Sequence, residues 1–318
     1  MILSRLARAQ WPRVAAGLLA VAALVAACGG STSQYEPFIA QRVFAFGEET
    51  SVLTGSPAGN GLKYSINGLD SEGNVDCRLN VTWVQSVASL YGFVPAECNP
   101  NGLEPKAYIF AEAGATVDDV TRQVARAALQ VDNQFGDKDL ATMLAGANDV
   151  LELYARYPAE SRDALLNEAR SRGRQLALAV NALVKLGARV VVSDLPSLGL
   201  TPFARKERAL HTDTDRAALL TDLTTAFNEQ LGVNILLDGR YIGLVQADLQ
   251  FRAISDNPGS LNVTEGACTV AVPLCSTATL VPGATAFTHL WADDTRMSGF
   301  GQSQLATLAI DRASRNPF

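Results

Sequence analysis

Leu140-Ala141-Thr142-Met143-Leu144-Ala145-Gly146-Ala147-Asn148-Asp149 is the stretch on which the reading of this chain turns. An apolar run over residues 140–144 has the length of a buried strand, and Gly146 ends it in a turn. Asn148 then stands just beyond a strand end, where open α/β sheets hold their ligands. Its NH2 group can donate to negative charge that develops on a substrate oxygen.

Working outward, strand-like and helix-like segments alternate, which predicts an α/β fold with a parallel central sheet and helices on its faces. Upstream, residues 42–46 are a short apolar run that turns at Gly47. Residues 55–80 are rich in Gly, Asn, Ser and Asp and read as loops with a hairpin at 63–66. Residues 81–91 carry Val84, Val87, Ala88 and Tyr91 at helical spacing. A strand is expected at 107–111, then a helix over 120–132 capped by Thr116. Downstream the pattern predicts a helix over 164–186 stopped by Gly187, and a β-branched strand over 188–193. A loop follows Asp194-Leu195-Pro196; next come a helix over 213–231, a strand at 233–237, a Pro/Gly/Cys loop over 257–282 and a last helix over 301–314. No linker interrupts the alternation, so one domain over 41–318 is expected.

The N-terminus is of another kind. Arg5, Arg8 and Arg13 precede an apolar run over 14–27, the pattern of an export signal and too short for a comfortable membrane span. Its end, Leu24-Val25-Ala26-Ala27-Cys28, resembles the bacterial lipobox, which implies a signal peptide over 1–27, lipid on Cys28 and a tether over 28–40. Glycines rather than Asp follow Cys28, which resembles outer-membrane sorting. The chain is therefore expected to be exported and held at the outer membrane by that lipid. Four further cysteines, Cys77, Cys98, Cys268 and Cys275, suit disulfides in an oxidising compartment; proximity favours Cys77 with Cys98 and Cys268 with Cys275, although three pairings are possible. Irregular spacing and only two histidines argue against a metal site, and no cofactor motif is present. A net charge of −6 with interspersed signs argues against nucleic acid as a partner.

Four blocks spanning about residues 41–312 resemble the SGNH (GDSL-type) hydrolases, and the resemblance implies a three-layer α/β/α, flavodoxin-like fold. That family sets a nucleophilic Ser in a Gly-Asp-Ser turn, a Gly amide in a second block, a Gly-x-Asn-Asp third block and a C-terminal Asp-x-x-His. The third block stands intact as Gly146-Ala147-Asn148-Asp149, which implies Asn148 as an oxyanion donor. Residues 190–202, 227–231, 257–258 and 267–268 also resemble family segments. The second block is expected shortly before Trp83, where Asp76-Cys77-Arg78-Leu79-Asn80 offers no Gly.

The first and last blocks depart from the family. Phe46-Gly47-Glu48-Glu49-Thr50-Ser51 puts Glu49 at the nucleophile position, and Asp293-Asp294-Thr295-Arg296 puts Asp293 at the acid and Arg296 at the base. An Arg stays protonated and cannot take a proton from Ser. The two changes together predict a cluster in which Glu49 meets Arg296, with Asp293 as a second acceptor. The expected function is an envelope lipoprotein, catalytically impaired or inactive, that holds an acyl ester, a lipid or an acetylated glycan in the old crevice. The competing expectation is an active ester hydrolase that uses Ser51 with His289, or Glu49 as nucleophile or as partner of Asp293.

Overall fold

The computed structural model describes residues 37–315 and 318, so the leader, Cys28 and most of the tether lie outside the described residues. Five strands run parallel in the order β2 (Ala107–Ile109), β1 (Arg42–Gly47), β3 (Asp139–Leu144), β4 (Arg189–Ser193) and β5 (Ile242–Val245). Every residue of β3 and all but the first of β1 and β4 are buried, as expected for strands covered on both faces. β1 aligns with β3 from Arg42 opposite Asp139 to Gly47 opposite Leu144. The chain leaves β1 on one side to make β2 and returns on the other to make β3. The crevice of such a sheet therefore opens beyond the ends of β1 and β3.

Eight α-helices are described: α1 (Trp83–Leu90), α2 (Val117–Gln130), α3 (Ala147–Ala155), α4 (Arg162–Lys185), α5 (Pro202–Leu210), α6 (Arg216–Asn234), α7 (Ala247–Asp256) and α8 (Gly299–Arg315). α2 packs on β1, α4 on β4 with α6 alongside, and α8 on β4 and β5 with α1 and α7 against it. The result is the three-layer α/β/α architecture around a parallel sheet. Thr82 and Gln85 close a capping box on α1, and Thr116 and Asp119 do so on α2. Cys77–Cys98 and Cys268–Cys275 are disulfides.

Several local expectations need correction. Residues 63–66 form no hairpin: Lys63 is buried, makes one isolated bridge to Leu53, and donates its ammonium to the carbonyls of Cys77 (3.1 Å) and Leu79 (2.9 Å). Residues 233–237 are not a strand, because α6 runs on to Asn234 and leaves Val233 and Leu237 exposed. The fifth strand comes later, in Ile242-Gly243-Leu244-Val245, where Gly243 lies close to Arg312 of α8. α5 lies in the stretch read as loop, and α3 and α7 lie largely in stretches for which the sequence predicts no element. Pro202 in the first turn after Thr201, whose hydroxyl accepts the Ala204 N–H, is the start signal that marks α5. The loop over 257–282 also contains β6 (Asn262–Gly266), paired with β7 (His289–Trp291) in a small separate sheet.

Candidate active site

Two strand-end turns face the crevice. The first begins at Gly47, with φ of +136°; a Cβ there would lie 2.0 Å from the Leu144 carbonyl oxygen, so the turn needs glycine. Gln123 of α2 fixes it from below, its amide donating to Gly47 O (2.9 Å) and its oxygen accepting Gly47 N–H (2.9 Å). The chain then enters a 3-10 turn over Glu49–Ser51, which turns the Glu49 side chain toward the crevice. The second turn pivots on Gly146, with φ of +121°, and starts α3, so Asn148 sits in its first turn beside the first site.

Glu49 is where the two turns meet. Asn148 Nδ2 donates to Glu49 Oε2 (2.9 Å), and Arg296 Nη2 donates to Glu49 Oε1 (3.0 Å). Asp293 flanks the guanidinium at 3.7 Å from Nη1, and its Oδ1 accepts the backbone N–H of Thr295 (2.9 Å) and Arg296 (2.7 Å). Thr295 accepts the remaining Nη1 bond at 2.9 Å. Glu49, Asn148, Arg296 and Asp293 are thus brought together. Asn148 Nδ2 also donates to Ala115 O (3.0 Å), which commits both amide hydrogens and leaves none for a substrate oxygen.

Glu48 completes the cluster on its inner side. Its carboxyl is buried and accepts the Thr50 hydroxyl at 2.8 Å. Burial first, then the adjacent Glu49 charge, push its pKa well above the ordinary carboxyl value. Burial also acts to raise Glu49, but hydrogen bonds from Glu48, Asn148 and its own backbone N–H, with the charge of Arg296, outweigh it and hold Glu49 below the ordinary range. Burial thus disfavours charge on Glu48, and the donors around Glu49 favour charge there, facing Arg296.

Ser51 lies elsewhere. It is fully buried, and its Oγ accepts the Trp83 indole N–H at 3.1 Å. His289 is buried at the start of β7 with its Nδ1 3.0 Å from the Thr288 hydroxyl, and burial lowers its pKa. His211 lies 3.4 Å from Glu207 on exposed surface. Neither imidazole shares a described hydrogen bond with Ser51 or Glu49.

The strand end beside Asn148 belongs to β2, not to residues 76–80. Ala115 O takes the Asn148 amide, Val117 N–H donates to Asp149 (3.0 Å), and Glu112 N–H donates to Gly47 O (3.1 Å). Gly114 lies in this loop, and its place just after a predicted strand was the available signal. Asp149 also accepts Arg172 of α4 at 3.3 Å, which ties α3 to α2 and α4. A groove of ≈930 Å³ opens beside Arg296 and Asp293, walled by α5 (Arg205, Lys206) and by the Cys268–Cys275 loop (Thr269, Val270).

This is the layout of a hydrolase crevice at the β1/β3 switch point of a doubly wound sheet. Residues 55–236 match the family model of the GDSL-like lipase/acylhydrolases, more than half of the sequence. The chain belongs to that family. The matched stretch contains Gly146–Asp149 but neither Glu48-Glu49 nor Asp293–Arg296, so both departures lie outside it. Among solved structures, the chain is similar to a lipase from a goat rumen metagenome (13% identity, TM-score 0.49, covering 86% of this chain and 96% of that one). It is also similar to a member of the lipolytic G-D-S-L family from Veillonella parvula (12%, 0.46, 85% and 96%) and to a variant of an acetyl xylan esterase from Geobacillus stearothermophilus (14%, 0.43, 87% and 96%). No curated protein sequence matches it. Family membership rests on the matched stretch, not on these distant likenesses.

Proposed function

We propose that this GDSL-family chain does not hydrolyse esters and acts instead as an envelope protein that holds an acetylated glycan in the groove beside Arg296. The observation that carries the first half is the Glu49 carboxylate, bonded to both Asn148 and Arg296 where the family sets its Ser and His. A carboxylate so satisfied is a poor nucleophile, and an Arg cannot serve as base. Support for a glycan over a lipid comes from the groove lining. Arg205, Lys206 and Arg296 stand among Glu265, Asp293 and Asp294, with Thr264 and Thr269 hydroxyls between them. Such a wall offers hydrogen bonds to hydroxyl groups, while Pro202, Ala209, Val270 and Val281 among them offer apolar contact for acetyl methyls.

The test is a titration of the full-length protein with partially acetylated oligosaccharides of xylose and of glucosamine, followed by NMR. Saturable shifts at Thr264, Thr269 and Arg296, abolished by Ala209→Trp in the groove wall, with no acetate released, are expected. Steady acetate release would overturn the non-hydrolytic reading, and binding of fatty acid instead would overturn the glycan reading. Anchoring through Cys28 belongs to the same proposal: labelled palmitate is expected on the wild-type protein and not on Cys28→Ser.

A further inference from the structure

We propose that the pocket formed by Asn148 and Arg296 is a carboxylate-binding site whose resident ligand is the protein's own Glu49 side chain, and that it takes a free short carboxylate such as acetate when that side chain is cut back.

Three observations support it. The two Glu49 oxygens are bound separately, Oε2 by the Asn148 amide at 2.9 Å and Oε1 by Arg296 at 3.0 Å, the two-point grip of a carboxylate receptor. The donors are themselves positioned without Glu49. Asn148 is fixed by the turn at Gly146 and by Ala115 O, and Arg296 is fixed by Thr295 and by the Asp293 turn. Removing the side chain therefore leaves a preformed cradle rather than a collapsed one. The site is also reachable: the Glu49 side chain is 6% exposed, but Arg296 is 33% exposed and lines the open groove. An ion entering along the groove meets the guanidinium first.

A tethered carboxylate competes at an effective concentration of at least about millimolar, so free acetate does not displace it from the intact protein. The crevice is in that sense self-inhibited. Acetate binding of this kind is independent of whether the groove takes a glycan.

The experiment compares the full-length wild type with Glu49→Ala and Glu49→Ser, raising acetate at constant ionic strength set with chloride. Thermal midpoint and 13C-acetate line broadening are read together. The wild type is expected to ignore acetate. Both variants are expected to bind it saturably, with a midpoint rise of about 3 °C or more near saturation and no response to chloride. Glu49→Ala/Arg296→Met is expected to lose the response at least about tenfold, since the charged half of the grip is gone. If a variant unfolds at low salt, acetate and not chloride should refold it, because a ligand that binds only the folded state favours folding. Folded variants indifferent to acetate, or unfolded ones that acetate does not rescue, would overturn the proposal. So would a wild type that binds acetate as well as the variants do.

Discussion

The turn after β1 and the turn after β3 are built alike and filled differently. Each leaves a buried parallel strand through a glycine in a backbone conformation other residues reach only with strain, Gly47 at +136° and Gly146 at +121°, and each aims a side chain into one crevice. The second keeps the family's Asn148. The first keeps the family's glycine but presents Glu49. The backbone that positions a nucleophile and the group that acts as one are thus separable. The sheet, the glycine and the Gln123 brace set the position, and they persist although the residue held there has changed chemistry.

Substitutions at the glycines test that separation most severely. Gly47→Ala would drive a Cβ to 2.0 Å from a backbone oxygen of β3 that cannot move without the sheet, so a loss of about 4 kcal/mol or more is expected in denaturant unfolding. At Gly146 the obstacle is the Phe227 ring, 2.4 Å from the added Cβ, and a side chain can shift where a strand cannot. Gly146→Ala should cost less, about 2–3 kcal/mol. The reverse order would mean that the β3 turn, not the β1 turn, is the rigid half of the crevice.

The charged contents come next. Arg296→Met leaves Glu49 buried without its cation, and a loss of about 2 kcal/mol at neutral pH is expected, smaller than for a fully buried pair because Arg296 is partly exposed. In the Glu49→Gln background the same change should cost less, and that difference is the coupling energy of the pair. Asn148→Ala removes two hydrogen bonds and is expected to cost about 1–2 kcal/mol, with the thermal midpoint falling accordingly. Ser51→Ala leaves the Trp83 N–H unpaired in the core and should cost about 1 kcal/mol while changing no ester turnover.

A pH series sharpens the role of Glu48. Its pKa is raised in the fold, so between its ordinary value of 4.5 and the folded value the native protein holds a proton that the unfolded chain has lost. That contribution is full below pH 4.5 and is lost as pH rises through the folded value. Glu48→Gln fixes the neutral form. It should match the wild type below about pH 4.5 and exceed it increasingly as pH rises toward about 8, with a flatter slope across that window. Glu49 has the opposite sign: its lowered pKa contributes stability above the ordinary value that is lost as acid protonates it.

Much of the fold was legible in the sequence because it is written in local signals. The β-branched run of β4, the apolar run of β3 and the cap at Thr116 each fix an element without help from the rest of the chain. The strand expected at 233–237 failed because apolar letters at the end of α6 look alike whether they face core or solvent. Its true counterpart, β5, is short and interrupted by a glycine that only the approach of α8 explains. At the site, the meeting of Glu49 with Arg296, 247 residues apart, was legible because both positions had changed together in family blocks of known order. The part played by Glu48 was not, since neutrality of a carboxyl depends on burial from several segments at once. The loop after β2 was missed although Gly114 marks it, because the Ala115 carbonyl that takes the Asn148 amide has no side-chain signature.

The most direct test of the account is ester turnover on the full-length protein beside its Glu49→Ser/Arg296→His double variant, with short-chain nitrophenyl esters as substrate. The account predicts a silent parent and a double variant that hydrolyses, because the scaffold that positions nucleophile and base is intact and only the two groups are missing. A parent that turns over ester, with activity that Ser51→Ala or Glu49→Gln removes, would contradict it.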